Sequence, residues 1–461
     1  MEQMNKGDIL AVGLMMFSIF FGAGNLIFPP ALGQAAGNHA LIAMVGFVVT
    51  GVGLPLMGIT AIAMQGGKYV EFMNRRTYPW LASALLVILY LAIGPVFAVP
   101  RTGAVSFEIG IRPFLSEDSL MPGQLAYTTV FFLLTGYLAM NPSKLMDRVG
   151  KFLTPALLLF LAILFLKLFW TPLGEVLDAT GSYIETPFAQ GFQDGYQTMD
   201  LLASLSIGTI VAQSIRMKGA KDDAAVSRVC IISGLIAVAL MAIVYGALAY
   251  LGATSAGVLG QSENGGQLLA QAVDIFFGAA GNLLVAVIIA LACLTTSCGM
   301  ITGSSWYFNK VLKNRVPYER LVVYSTFFSF VVSNFGLTQI IALSLPFLVS
   351  IYPVVIVFVV LSLFDRWIGR RGNIYRYAVD ATLVFAVIAG LETAGVVIPA
   401  VHAFLVAYVP FFSMGMGWFV PALLGAVIGF FVPADGPLTQ ADVSLRNICL
   451  RQQADVSLRN Y

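Results

Sequence analysis

Long apolar runs follow one another along the chain, separated only by short polar breaks. A helix needs about 20 apolar residues to cross the hydrocarbon core. On that rule the pattern predicts twelve spans: 9–34, 40–64, 79–110, 122–140, 149–170, 194–216, 226–252, 277–308, 318–334, 337–363, 376–396 and 411–432. The third and eighth exceed a straight crossing, which predicts tilt or extension beyond the bilayer. Met1 to Asp8 is short and polar, and the first run lacks a small-residue cleavage site, so that run is expected to remain as a helix. Yet the run breaks its own pattern. Phe20-Phe21-Gly22-Ala23-Gly24-Asn25-Leu26-Ile27-Phe28-Pro29-Pro30 sets two glycines, an asparagine and a proline pair near mid-bilayer. Backbone without helical hydrogen bonds is tolerated at that depth only where protein buries it or it lines a watery cavity. The break therefore marks a binding site.

A second interruption, Asp200-Leu201-Leu202-Ala203-Ser204-Leu205-Ser206-Ile207-Gly208-Thr209, falls in the sixth span. It opens the second half of the pattern as the first break opens the first half. Because five spans separate the two, the second set runs the opposite way across the membrane, which is an inverted repeat. Transporters built this way hold substrate and coupling ion at the midplane, between two discontinuous helices. The expected fold is an all-α polytopic membrane protein with a five-plus-five inverted repeat, helices 1 and 6 discontinuous, and two C-terminal helices added. One transmembrane domain would cover 1–436 (repeat one 9–170, repeat two 194–363, extra helices 376–432), with a tail at 437–461.

Charge supports the span count. With the N-terminus inside, all but Arg101, Arg112 and Lys167 of the 25 basic residues fall on the inner side, the cytoplasmic bias expected of a correct topology. Losing one span would scramble that bias, so both ends are expected in the cytoplasm. Composition agrees: 10% of residues are charged, against roughly 25% in soluble domains, and the mean hydropathy is +0.87. A net charge of +2, spread among loops, argues against nucleic acid. The cysteines Cys230, Cys293, Cys298 and Cys449 show no metal-ligand spacing. With only His39 and His402, and no nucleophile or zinc motif, intramembrane enzyme chemistry is not expected. A channel would need filter loops that the chain does not show; a sensor on the same fold would bind without flux. The tail repeats Ala-Asp-Val-Ser-Leu-Arg-Asn at 441–447 and 454–460, with no evident physical reason.

Within the spans, Thr295 and Thr296 offer hard hydroxyl oxygens of the kind sodium takes. Arg101 lies about 21 residues beyond Trp80, or roughly 30 Å at helical rise. It is expected to snorkel to outer water, the alternative being an outer gate with Glu108. Asp200 is either a gate or proton-linked group, or an interfacial carboxylate. Glu392 and His402 are expected to be solvated at the outer connection between spans eleven and twelve.

Phe21 to Pro30, Gly94-Pro95-Val96-Phe97-Ala98-Val99-Pro100-Arg101-Thr102, and Thr198-Met199-Asp200-Leu201-Leu202-Ala203-Ser204-Leu205 together resemble the bacterial branched-chain amino acid:cation symporter family, over nearly the whole chain. The resemblance implies the fold of the sodium-coupled leucine transporters in the bacterial cytoplasmic (inner) membrane. It also implies uptake of leucine, isoleucine and valine driven by a sodium or proton gradient, with no cofactor and no protein partner. Carried over by residue, it implies that the amides of Ala23 and Gly24 receive the substrate carboxylate. Carbonyls of a break at Ser204–Gly208 would bind the ammonium, and Ile207 would line an aliphatic pocket. The implied substrate set is Gly22, Ala23, Gly24, Asn25, Ala203, Ser204, Ser206, Ile207 and Gly208. The implied sodium set is Ala292, Thr295 and Thr296 with the carbonyls of Ser18 and Phe21. A second sodium of the leucine-transporter type is not expected, because 226–252 carries no asparagine; Asn25 then serves as a cap on its half-helix.

Overall fold

The computed structural model describes residues 6–65, 69–140, 145–217, 219, 222–369 and 373–432. The tail with its repeated heptapeptide and the side chain of Ile207 lie outside the described part. Among the described residues all regular structure is helical. In chain order the helices are α1 (Lys6–Phe20), α2 (Ala23–Ala36), α3 (Ala40–Val48), α4 (Leu54–Met64), α5 (Tyr69–Arg76), α6 (Pro79–Leu91), α7 (Ala98–Gly110), α8 (Leu120–Met140) and α9 (Leu145–Trp170). There follow α10 (Pro187–Asp194), α11 (Asp200–Met217), α12 (Asp223–Leu259), α13 (Gly265–Val311), α14 (Tyr318–Ser333), α15 (Leu337–Leu363), α16 (Asp365–Ile368), α17 (Asn373–Thr393), α18 (Pro399–Tyr408) and α19 (Phe419–Phe431). Among the described residues, six stretches are long and apolar enough to cross a membrane: Ala23–Met64, Trp80–Phe114, Ala224–Leu259, Gly265–Val311, Leu337–Leu363 and Asn373–Thr393.

Three of the expected spans are broken where the site lies. The first divides into α1 and α2 at Phe21–Gly22, as its glycines predict, but the non-helical stretch is only two residues long. The sixth divides into α10 and α11, and here the structure corrects the sequence reading. The break is at Met199, in the left-handed region at φ 59° and ψ 12°, whereas Ser204–Gly208 is continuous helix. Ser204 and Ser206 satisfy themselves within α11, donating to the carbonyls of Leu201 (2.6 Å) and Ala203 (2.8 Å), so their polarity does not open the helix. The third span, expected as one continuous helix, divides at Ala92–Phe97. Pro95 offers no N–H, Gly94 leaves helical geometry (φ −95°, ψ −121°), and the path widens before α7 begins.

Close backbone approach holds the pieces together. A Cβ on Gly33 of α2 would lie 1.9 Å from the Ala249 carbonyl of α12, and one on Gly252 of α12 would lie 1.9 Å from the Pro30 carbonyl of α2. Small residues at such contacts let membrane helices pack on their backbones. Both halves of the first broken segment, α1 and α2, pack on α12; of the second, α10 packs on α3 and α11 on α4. The final expected span is shorter than predicted, with α18 preceding α19; on α18 the exposed His402 meets Glu392 at 3.1 Å.

Candidate functional site

Asn25 ties the first two breaks together. The Gly22 N–H donates to Asn25 Oδ1 at 3.1 Å, closing the turn into α2. The opposite end of the same amide, Nδ2, donates to Asp200 Oδ2 at 2.7 Å and to the Tyr245 hydroxyl of α12. This amide orientation gives each end its complement, since an N–H needs the oxygen and a carboxylate needs the nitrogen. Asn25 is 1% exposed, so its bonds form away from water. Asp200 is the first residue of α11, where aligned peptide dipoles favour an anion, and its own N–H donates to Thr198 Oγ1 at 3.3 Å. The expected cap is therefore present, and it has a second task that the sequence did not disclose.

The third break sets the depth of Arg101. Because α7 starts anew at Ala98, Arg101 stands in its first turn and is 3% exposed, so the expectation of outer-water contact fails along with that of one continuous helix from Trp80. Its guanidinium donates from Nη1 to the Gln197 carbonyl and from Nη2 to Ser344 Oγ (3.1 Å), and lies 5.1 Å from the Phe28 ring centre. The alternative, a pairing with Glu108, is not formed either. Glu108, two turns further along α7, instead accepts from Arg112 and from Asn264 Nδ2 (3.3 Å), and Arg112 also reaches Glu263 at 3.3 Å.

Phe20, Gly22, Ala23, Gly24, Asn25, Ile93, Ala98, Arg101, Thr102, Thr198, Met199, Asp200, Ala203, Thr296 and Met300 line one small cavity of about 40 Å³, where all three breaks meet. Of the residues expected to bind substrate, Gly22, Ala23, Gly24, Asn25 and Ala203 are on its wall. Ser204 instead faces Gly58, and Gly208 packs on Ile62 of α4. Of the expected sodium ligands, Thr296 is on the wall, with Oγ1 3.9 Å from where a Gly22 Cβ would stand. Thr295 turns back to the carbonyls of Ala292 (2.9 Å) and Leu291 (3.2 Å). Phe21 stacks on Phe17, ring centres 5.0 Å apart. Ser18, Phe21 and Ala292 are not on the wall.

Phe20, Ile93, Ala98, Thr102, Thr198, Met199 and Met300 are wall residues that the sequence reading did not single out as ligands, although two of the quoted motifs pass through most of them. The wall thus combines one guanidinium, one carboxylate, the first-turn amides of α2, which have no acceptor within their helix, and apolar surface. Those groups are the chemical complement of a small molecule with both charges and an aliphatic body.

The model of the branched-chain amino acid transport protein family matches residues 5–435. Branched-chain amino acid permease BraB of Bacillus subtilis (strain 168) is 43% identical over 423 residues, covering 92% of this chain and 95% of its own. The branched-chain amino acid transport system 2 carrier protein of Pseudomonas aeruginosa is 42% identical over 433 residues (93% and 96%), and permease BrnQ of Escherichia coli (strain K12) is 35% identical over 429 residues (93% and 96%). Among solved structures, Mhp1, a nucleobase-cation-symport-1 family transporter in a closed conformation with bromovinylhydantoin bound, superposes with a TM-score of 0.57 at 12% identity, over 92% of this chain and 91% of its own. At that identity the likeness concerns the fold alone, a helical transporter fold. The chain belongs to the branched-chain amino acid transport protein family, a family of membrane permeases and not of enzymes.

Proposed function

We propose that this protein imports leucine, isoleucine and valine into the cytoplasm by symport with sodium or protons, through alternating access. The observation that carries the reading is the single cavity in which three helix breaks, a guanidinium and a carboxylate converge beside apolar wall. In this reading the amides of Ala23 and Gly24 face the substrate carboxylate, and Asp200, together with the backbone at the Met199 break, faces the ammonium. Phe20, Ile93, Ala203 and Met300 enclose the aliphatic chain. One methylene in such a pocket is worth only about 1–3 kcal/mol, so the three amino acids are separated weakly.

Twelve spans with both ends cytoplasmic, in one transmembrane domain over 1–436, complete the reading. A five-plus-five inverted repeat requires that whatever segment one does with segment seven, segment six does with segment two. The packing of α1 and α2 on α12, and of α10 on α3 and α11 on α4, supports that reciprocity. Thr296 beside Gly22 favours sodium as the coupling ion; Asp200 on the same wall favours the proton. Uptake of labelled leucine into proteoliposomes, with the sodium and pH gradients imposed separately, tests both halves. Accumulation driven by one gradient is expected, and equilibration without accumulation would leave a channel instead. Leucine binding with no flux would leave a sensor.

A further inference from the structure

We propose that Arg101 is the receptor for the substrate carboxylate, acting with the first-turn amides of α2 as a two-sided anion site. The inference rests on the transport reading above and adds a ligand to it. Burying a cation is costly unless a counter-charge accompanies it. Arg101 is 3% exposed, and among the described residues no carboxylate pairs with it. Its two bonds go to neutral oxygens, Gln197 O and Ser344 Oγ, and its buried Nε has no acceptor among the described residues. The guanidinium is thus held in place yet left short of the partner its geometry suits best, a planar carboxylate.

The position fits that partner. Gly24 carries no side chain between Arg101 and the start of α2: a Cβ there would be 3.6 Å from Arg101 Nη1. The amides of Ala23 and Gly24 and the guanidinium therefore border the same corner of the cavity. Asp200 lines that cavity too, and its carboxylate accepts from the uncharged Asn25. No ion pair joins Arg101 to Asp200 among the described residues, so one wall presents two separate, opposite charges. An α-amino acid supplies the complement of both at once. The site should accordingly reject amines that lack the carboxylate.

A purely structural brace makes a different prediction, because it would affect every ligand alike. Competition for labelled leucine on the purified full-length protein, by leucine and by 3-methylbutylamine (leucine without its carboxylate), separates the two. The wild-type protein is expected to favour leucine strongly. In Arg101→Gln, leucine affinity should fall roughly 10- to 100-fold, the range for losing a charged hydrogen-bonding partner, while the affinity for 3-methylbutylamine is unchanged or rises because a like charge has gone. Unchanged leucine affinity, or an equal loss for both ligands, overturns the proposal. If Arg101→Gln does not yield folded protein, Arg101→Lys decides. It keeps the charge and loses the fork, so a loss confined to leucine supports the proposal and an equal loss for both overturns it. A wild-type protein that binds no leucine refutes the transport reading itself, a result distinct from either outcome in the variants.

Discussion

Replacing Asn25 with alanine removes one side chain and three hydrogen bonds: the Gly22 N–H donor at 3.1 Å, Asp200 Oδ2 at 2.7 Å, and the Tyr245 hydroxyl. The Asp200 contact matters most, because a buried acceptor stripped of its donor costs about 1 to 3 kcal/mol. The Gly22 and Tyr245 bonds add about 0.5 to 1.5 kcal/mol each. Asn25→Ala should therefore destabilise the protein by about 2 to 6 kcal/mol. That total cannot distinguish a lost bridge from a simple void, but a double-mutant cycle can. If the two breaks are joined through Asn25 and Asp200, then Asn25→Ala, Asp200→Ala and the double variant should show a coupling of about 1 to 3 kcal/mol, as residues in direct contact do. The assay is equilibrium unfolding of the detergent-solubilised protein in mixed micelles of rising SDS content, followed by circular dichroism. Leucine uptake in proteoliposomes should fall in the same variants. A coupling below about 0.5 kcal/mol, the level of independent sites, would refute the reasoning and leave Asn25 as a local cap.

Gly24→Leu should abolish leucine binding while the protein remains monodisperse, because the new Cβ stands 3.2 Å from the Phe28 ring and 3.6 Å from Arg101 Nη1, with the rest of the side chain filling the cavity; normal binding would place the site elsewhere. If sodium is the coupling ion, Thr296→Ala should raise the sodium concentration for half-maximal uptake at least about fivefold, the equivalent of one lost ligand bond, and Thr295→Ala, whose hydroxyl is engaged within α13, should shift it less. Equal sodium dependence in wild type and both variants rejects the ion assignment. Gly252→Val should lower stability by about 3 kcal/mol or more, read as a drop in melting temperature, because its Cβ would collide with the Pro30 carbonyl at 1.9 Å. A melting temperature within error of wild type would mean that α2 and α12 are not held by that contact.

Much of this architecture can be read from the chain, and the failures share a cause. The first break was visible because Gly22, Gly24, Pro29 and Pro30 each disfavour helix within a few residues, although Asn25 restores helical geometry sooner than composition suggests. The second break was sought where small and polar residues cluster. Hydroxyls in a helix return to its own carbonyls, so Ser204 and Ser206 left the helix intact while Met199, an unremarkable apolar residue, took the left-handed turn. The third break passed unnoticed because Ile93, Val96 and Phe97 keep the run apolar. Gly94-Pro95 was the available signal, since proline both removes a donor and constrains the residue before it. Arg101 lies deeper than a continuous helix from Trp80 would place it, because the segment divides at Gly94-Pro95.

The division of this third segment also bears on how the chain enters a membrane. α6 and α7 have 13 residues each, short of the roughly 20 a crossing needs. α7 also carries Arg101, and an arginine disfavours insertion, by about 2.5 to 3.5 kcal/mol at the centre of a span and less towards its ends. The partner that shelters α7 is α13, with Gly110 set against Ala286, and α13 begins at Gly265, more than 150 residues downstream. During synthesis the arginine-bearing half therefore emerges long before the helix that buries it. Its final placement belongs to the later folding of the bundle, so chains truncated before α13 should leave α7 accessible to aqueous cysteine reagents, whereas the complete chain protects it.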